Sequence, residues 1–144
     1  MGWVLIGAHG GAGLTTVAAL LNHARPGSAA EFSGSWPTGR RIVLVANSSA
    51  NGAQAAAQMA ANWPLPSSCP ALVVVADTPF RAPPLARYRL RAISRLVTAM
   101  IAVPYLPAVR NLGIETALQA QTTARTARRL QRRLARVPVD EGQS

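Results

Sequence analysis

The sequence predicts an α/β fold of three layers, in which a mainly parallel four-stranded sheet lies between helices. The main observation is that continuous apolar runs rich in Val, Ile and Leu alternate with segments of helical periodicity. Parallel strands covered on both faces have this pattern. The first apolar run ends in a cluster of glycines, and 144 residues with a hydrophobic fraction of 49% suffice for the core of one ordinary domain.

The elements follow in chain order. Strands are predicted at residues 3–8, 42–46, 71–76 and 99–103. The first helix is predicted after the glycines, because Leu14, Val17, Ala18 and Leu21 recur at helical spacing. Residues 25–40 are rich in Gly, Ser and Pro and predict a long loop, whereas the alanine-rich residues 51–63 predict the second helix.

The third helix is predicted to begin near Pro84, and its core face is predicted to consist of Leu85, Leu90, Ile93 and Leu96 or Val97. The fourth strand ends at a turn over residues 104–107. Residues 114–137 predict one polar helix. We therefore expect an α/β domain over 1–112, a basic C-terminal helix over 113–137 and a flexible tail over 138–144.

Composition limits the function classes. The net charge is +10, and all 15 basic residues are arginines because the chain has no lysine. This charge favours anionic partners. Cys69 is the only cysteine, which leaves no partner for a disulfide. No apolar stretch approaches the roughly 20 residues of a membrane span, and no basic segment precedes the first apolar run, so we expect a cytoplasmic protein.

The glycine cluster has the composition of a phosphate-binding loop. Gly10, Gly11 and Gly13 lie at a strand-to-helix junction, and Thr15 and Thr16 open the helix. Glycines let backbone N–H groups approach an anion, and the positive end of the helix faces it. A threonine hydroxyl at the helix start is suited to contact Mg²⁺.

The segment HGGAGLTT resembles the deviant Walker A loop, K-G-G-x-G-K-T-T, of the MinD/ParA group of P-loop ATPases, although His9 and Leu14 stand at the two lysine positions. The resemblance implies a shortened, degenerate P-loop fold, ATP or GTP with Mg²⁺ as ligand, and a homodimer that sandwiches the nucleotide. It also implies that phosphates bind at Gly10, Gly11, Ala12, Gly13, Leu14, Thr15 and Thr16.

A second motif supports the resemblance. LVVVADTP is similar to the Walker B strand of that family, which implies that Asp77 and Thr15 hold Mg²⁺. The alternative is that Asp77 only caps a turn. From the same resemblance we expect the four strands in the order 2-3-1-4, with the Asp77 strand beside the glycine-loop strand. Asn47 occupies the position where the family commonly has a switch aspartate.

The absence of both lysines and of the switch aspartate argues against efficient hydrolysis of ATP or GTP, because one lost charged contact at a phosphoryl-transfer site costs roughly 3 kcal/mol. Arg81 and Arg110 follow the third and fourth strands, and either could supply positive charge to the loop. The alternative is that both are solvated. We expect His9 to have a packing or hydrogen-bonding role.

Arginines also recur on two helices. One stripe comprises Arg87, Arg91 and Arg95, with Arg89 beside it. The C-terminal cluster, beside a narrow apolar face of Ala127, Leu130, Leu134 and Val137, comprises Arg125, Arg128, Arg129, Arg132, Arg133 and Arg136. The cluster is either a solvated face or a contact surface for nucleic acid or an acidic protein.

Three functions are consistent with the sequence. The first is a non-catalytic or weakly nucleotide-binding MinD/ParA-like interaction module linked to DNA partitioning, mobile-element maintenance or transfer. The second is a slow ATPase or GTPase completed by an arginine or a partner. The third is a basic nucleic-acid-binding module that keeps the P-loop fold as a scaffold and needs no cofactor.

Overall fold

The structure, a computed structural model, describes residues 2–34, 40–64 and 70–138. Trp36, Cys69 and the predicted tail from residue 139 onward lie outside these ranges. The strands are β1 (Trp3–Gly7), β2 (Ala29–Glu31), β3 (Arg41–Asn47), β4 (Ala71–Val75) and β5 (Met100–Val103). The helices are α1 (Leu14–Ala24), α2 (Ala50–Ala61), α3 (Pro84–Ile93), α4 (Pro107–Leu112), α5 (Ile114–Ala117) and α6 (Gln121–Ala135).

The sheet has five parallel strands in the order β2-β1-β3-β4-β5. The α/β class and the parallel sheet are confirmed, whereas the count of four strands is wrong. The additional strand β2 has only three residues and lies in the segment predicted as a loop. It lacks an apolar run because it is an edge strand. The side chain of Asn22 on α1 holds it by two hydrogen bonds to the backbone of Ala29, at 2.8 and 2.9 Å.

The predicted strand order 2-3-1-4 is also wrong. β3 separates the glycine-loop strand β1 from β4, which precedes Asp77. In this central place Ile42 through Ala46 are all buried, which fits a strand that is apolar on both faces. The observed order is one of the two common doubly wound orders, and it reverses between β1 and β3.

Two cores cover the two faces of the sheet. On one face, α1 and α6 pack with Val43, Val45 and Val73. On the other, α2 and α3 pack with Leu44 and Leu72. The alternation along β3 and β4 explains why these strands are continuously apolar, as the sequence predicts. None of the described helices is long and apolar enough to cross a membrane.

The C-terminal third departs from the predicted elements. Residues 107–112 form α4, which begins at Pro107, the first helical residue, and ends at Gly113 with φ of +80°. The single helix predicted over 114–137 is divided at residues 118–120 into α5 and α6. On α6 the predicted apolar face is confirmed for Ala127, Leu130 and Leu134, which are buried in the core, whereas Val137 follows the end of the helix and is half-buried.

The predicted core face of α3 is only partly correct. Ile93 and Val97 are buried and Leu90 is half-buried in the same core, which selects Val97 over the alternative Leu96, whose exposure is 51%; Leu85, however, is 50% exposed. The buried side of the helix is instead completed by Ala86. Ala86 is fully buried, and the two leucines are left on the outer side.

Candidate functional site

The loop between β1 and α1 has the backbone of an anion cradle. Gly11 and Gly13 have φ of +78° and +95°, a conformation that other residues rarely adopt. A Cβ on Gly13 would also lie 3.2 Å from a methyl carbon of Val75. Apart from each glycine and its chain neighbours, no atom of the described residues lies within 4 Å of the Cβ positions of Gly10 and Gly11, so this side of the loop is open.

The start of α1 leaves amide donors beside this loop. Gly13 is the N-cap and has no side chain to accept a hydrogen bond. The first helical bond runs from the N–H of Val17 to the carbonyl oxygen of Gly13 at 3.0 Å, so the amides of Leu14, Thr15 and Thr16 precede the bonded ladder. Such amides, together with the helix dipole, attract an anion.

His9 attaches the loop to β3. Its Nε2 lies 3.3 Å from the backbone N–H of Asn47, and its Nδ1 lies 2.8 Å from the carbonyl oxygen of Gly10. Both bonds form when Nδ1 carries the proton and Nε2 accepts, which is the neutral tautomer. The residue at the first lysine position therefore has the hydrogen-bonding role that the sequence predicts, directed at the protein backbone.

Asn47 connects the glycine loop to α2, a role that the sequence analysis missed. Its amide nitrogen donates to the carbonyl oxygen of Gly11 at 3.3 Å, and its Oδ1 accepts from the backbone N–H of Ser49 at 3.1 Å and from the Ser49 hydroxyl. The Ser49 Oγ in turn accepts from the N–H of Gly52 at 2.9 Å and caps α2. Gly52 has no room for a Cβ, which would overlap Asn47. The run NSSANG, rich in capping residues, was the available signal.

Asp77 follows β4 and is exposed. Its Oδ1 accepts a hydrogen bond from the Ser48 hydroxyl at 3.2 Å, so the carboxylate is oriented from the end of β3. Within the described residues, no three His, Cys, Asp or Glu side chains are grouped to hold a metal ion. One carboxylate fits Mg²⁺ only in the mode in which phosphate oxygens and water supply the other ligands.

A cleft of about 250 Å³ opens at the carboxyl edge of the sheet, between the start of α1 and α4. Its polar lining comprises Thr16, Asp77 and Arg110, and its walls include Tyr105 and Leu106. The structure therefore brings together one residue of the glycine-loop motif, the predicted Mg²⁺ ligand and one of the two candidate arginines. Arg110 projects from α4, although the sequence analysis placed it on a loop.

The other candidate residues lie elsewhere. Thr15 is exposed on the first turn of α1 and, like Arg81, does not line the cleft. The arginines of the α3 stripe are not all free in solvent. Arg89 donates to the Gln54 side chain of α2 at 3.2 Å, and the Nε atom of Arg87 is buried. On α6 the arginines point away from the core, with Arg133 half-buried and the others exposed: Arg125, Arg128, Arg129, Arg132 and Arg136.

A comparison with models of protein families assigns the chain to a family. The model of a family of unknown function, DUF6668, matches residues 2–129. The chain belongs to the DUF6668 family. The DUF6668 match includes the whole sheet, the glycine loop and the cleft, and it ends within α6. Comparisons with curated proteins and with solved structures gave no match.

Proposed function

We propose that this chain is a degenerate P-loop module of the MinD/ParA type, which binds the phosphates of ATP or GTP with Mg²⁺ and hydrolyses the nucleotide slowly or not at all. The observation that carries the proposal is the open glycine loop at the unpaired amides of α1, close to a cleft that contains Thr16, Asp77 and Arg110.

Each group in the cleft has a distinct part in this proposal. Backbone amides of the loop and α1 bind phosphate oxygens, and the Arg110 guanidinium pairs with a phosphate in place of the missing lysine. Asp77, with the hydroxyl of Thr16 or Thr15, supplies ligands to Mg²⁺. The apolar wall that includes Leu106 then contacts the rest of the nucleotide.

Weak binding and slow chemistry follow from the same geometry. The cleft of about 250 Å³ is smaller than the roughly 300 to 1,000 Å³ of sites that enclose a drug-sized ligand. A nucleotide would therefore remain partly exposed. Asn47 cannot act as a general base, and its amide is already bonded to Gly11 and Ser49. The proposed role is that of an interaction module in DNA partitioning, mobile-element maintenance or transfer.

Calorimetric titration with ATP, ADP and GTP, with and without Mg²⁺, tests this proposal. We expect Arg110→Ala to weaken Mg²⁺-nucleotide binding by about tenfold to a hundredfold, because a hydrogen bond to a charged group contributes about 1.5–3 kcal/mol. Arg81→Ala is the matched control, since Arg81 is an exposed arginine outside the cleft. Absence of nucleotide binding to the wild type, or equal losses in both variants, would contradict the proposal.

Nucleic-acid binding is a second candidate function, favoured by the placement of α6. Its apolar side is fixed in the core, so its exposed arginines are displayed on a rigid helix with no acidic residue among them. Such a surface fits the phosphate backbone of duplex DNA without base contacts.

The salt dependence of DNA affinity tests this second function. For B-DNA, the slope of log K against log salt is about −0.9 per phosphate contacted. We expect Arg128→Gln with Arg132→Gln to make the slope shallower by about 2. Arg91→Gln on α3 with Arg95→Gln on the turn that follows is the charge-matched control and should leave the slope unchanged. A flat salt response of the wild type would exclude binding through the phosphates.

A further inference from the structure

The segment from Phe80 to Leu96 exposes an unusual amount of apolar surface. Among the described residues, five large hydrophobic side chains are exposed, and four of them lie on this segment. Phe80 is 79% and Tyr88 70% exposed, with Leu85 and Leu96 at about half. Contiguous exposed apolar side chains on a folded domain mark an interaction site more often than scattered ones do.

The geometry of α3 places these side chains on one side. Ala86 and Ile93 are buried against the core, whereas Leu85, Tyr88 and Arg91 are exposed at spacings of three residues. A further turn after α3, closed by the bond from the N–H of Leu96 to the carbonyl oxygen of Ile93 at 2.7 Å, carries Arg95 and Leu96. We call Leu85, Tyr88, Arg91, Arg95 and Leu96 the α3 surface, and Phe80 lies in the segment that leads into α3.

The helix that carries the α3 surface is firmly placed. Arg89 donates from Nη1 to the Gln54 side chain at 3.2 Å and to the carbonyl oxygen of Ala50 at 3.5 Å, which attaches α3 to α2. The opposite side of α3 contributes Ile93 to the core. A surface held in this way loses little conformational entropy when a partner binds, which favours binding.

The α3 surface is basic as well as apolar. Arg91 and Arg95 are exposed within it, and Arg81 is exposed next to Phe80. No acidic residue lies between Asp77 and Glu115 in the chain. Tyr and Arg are the residue types that contribute most to binding at protein interfaces. The chemistry of the surface therefore calls for a partner that has both apolar and negatively charged groups.

We propose that the α3 surface binds an acidic, amphipathic helical segment of a partner protein. A second copy of this chain is disfavoured because both copies carry a net charge of +10. Nucleic acid would stack on Phe80 and Tyr88 but would leave the aliphatic Leu85 and Leu96 without a matching contact. An apolar helix face flanked by Glu or Asp matches both the leucines and the arginines. This proposal does not depend on nucleotide binding.

Peptide display on the full-length chain tests the proposal. A random library of 16-residue peptides is first depleted of peptides that bind the Leu85→Ser, Tyr88→Ser double variant. The remaining peptides are then selected on the wild type. We expect the enriched peptides to be net negative, with apolar residues at helical spacing. In fluorescence anisotropy, the leading peptide should lose at least tenfold in affinity for the double variant. Leu112→Ser, which changes a leucine that is 60% exposed on α4, should leave its affinity unchanged.

Two double variants with the same change of charge distinguish binding at the α3 surface from general attraction to a basic protein. Arg91→Glu with Arg95→Glu should weaken peptide binding at least tenfold, whereas Arg128→Glu with Arg132→Glu on α6 should not. Equal losses in both pairs would overturn the proposal. Neutral or basic enriched peptides, or no enrichment, would also overturn it. The chain could instead bind a 20-nucleotide oligothymidine or anionic lipid vesicles through Leu85 and Tyr88 and bind no peptide. That result would also overturn the proposal and assign the surface to another partner.

Discussion

Leu134→Ala is expected to lower the free energy of unfolding by about 2–5 kcal/mol, the range for removing a fully buried leucine side chain. Leu134 is 1% exposed and packs in the core cluster that includes Leu20, Leu21 and Leu130. Since the remaining surface of α6 is polar, this narrow apolar stripe holds the arginine-rich helix on α1. Loss of the side chain leaves a cavity at the contact between α6 and the sheet.

Urea denaturation followed by circular dichroism measures this change as a shift of the unfolding midpoint. Leu112→Ala is the matched control, because the same side chain is removed where the leucine is 60% exposed. We expect that control to change the free energy of unfolding by less than about 1 kcal/mol. An unchanged midpoint for Leu134→Ala would mean that α6 is an appendage whose packing does not stabilise the domain.

The elements that could be predicted from the sequence are those fixed by local pattern. β3 and β4 are apolar runs because helices cover both faces of the sheet, so their positions in the chain and their parallel direction follow from the local pattern. The left-handed Gly11 and Gly13 likewise follow from the need for glycine at a sharp strand-to-helix junction. In each case, residues close in the chain determine the result.

Long-range placement could not be predicted in the same way. The strand order rests on which apolar run is buried most deeply, and Ile42 to Ala46 are not distinguishable by pattern from Ala71 to Val75. The edge strand β2 depends on Asn22, a side chain seven residues before Ala29 on another element. Neither the order nor β2 has a signal in local periodicity.

The candidate site shows the same difference between local pattern, which could be predicted, and long-range placement, which could not. Asp77 was identified through the resemblance of LVVVADTP to a Walker B strand, and it does lie at the carboxyl edge of the sheet. That Arg110 lines the cleft and Arg81 does not depends on the fold of α4, which begins at a proline that the sequence analysis assigned to a turn. The link from His9 through Asn47 to Ser49 joins three elements and was visible only in the structure.

Leu14→Lys is expected to raise the affinity for Mg²⁺-ATP by about tenfold to a hundredfold, because it restores a charged contact of about 1.5–3 kcal/mol. Leu14 is the first residue of α1 and occupies the second lysine position of the resembling motif. Its half-buried side chain packs against the core. A lysine can keep much of that packing through its aliphatic stem while its ammonium group reaches the glycine loop.

Leu14→Met is the control for this gain, since methionine has a volume similar to that of leucine, is unbranched like lysine and adds no charge. Calorimetry with Mg²⁺-ATP should show tighter binding for the lysine variant only. The increase should also require Asp77 if the metal bridges that carboxylate and the phosphates, so Leu14→Lys with Asp77→Asn should return toward the affinity of the wild type. Equal affinities of the Lys and Met variants would mean that the loop retains the backbone of a phosphate cradle without its binding function, and that the domain acts as a scaffold.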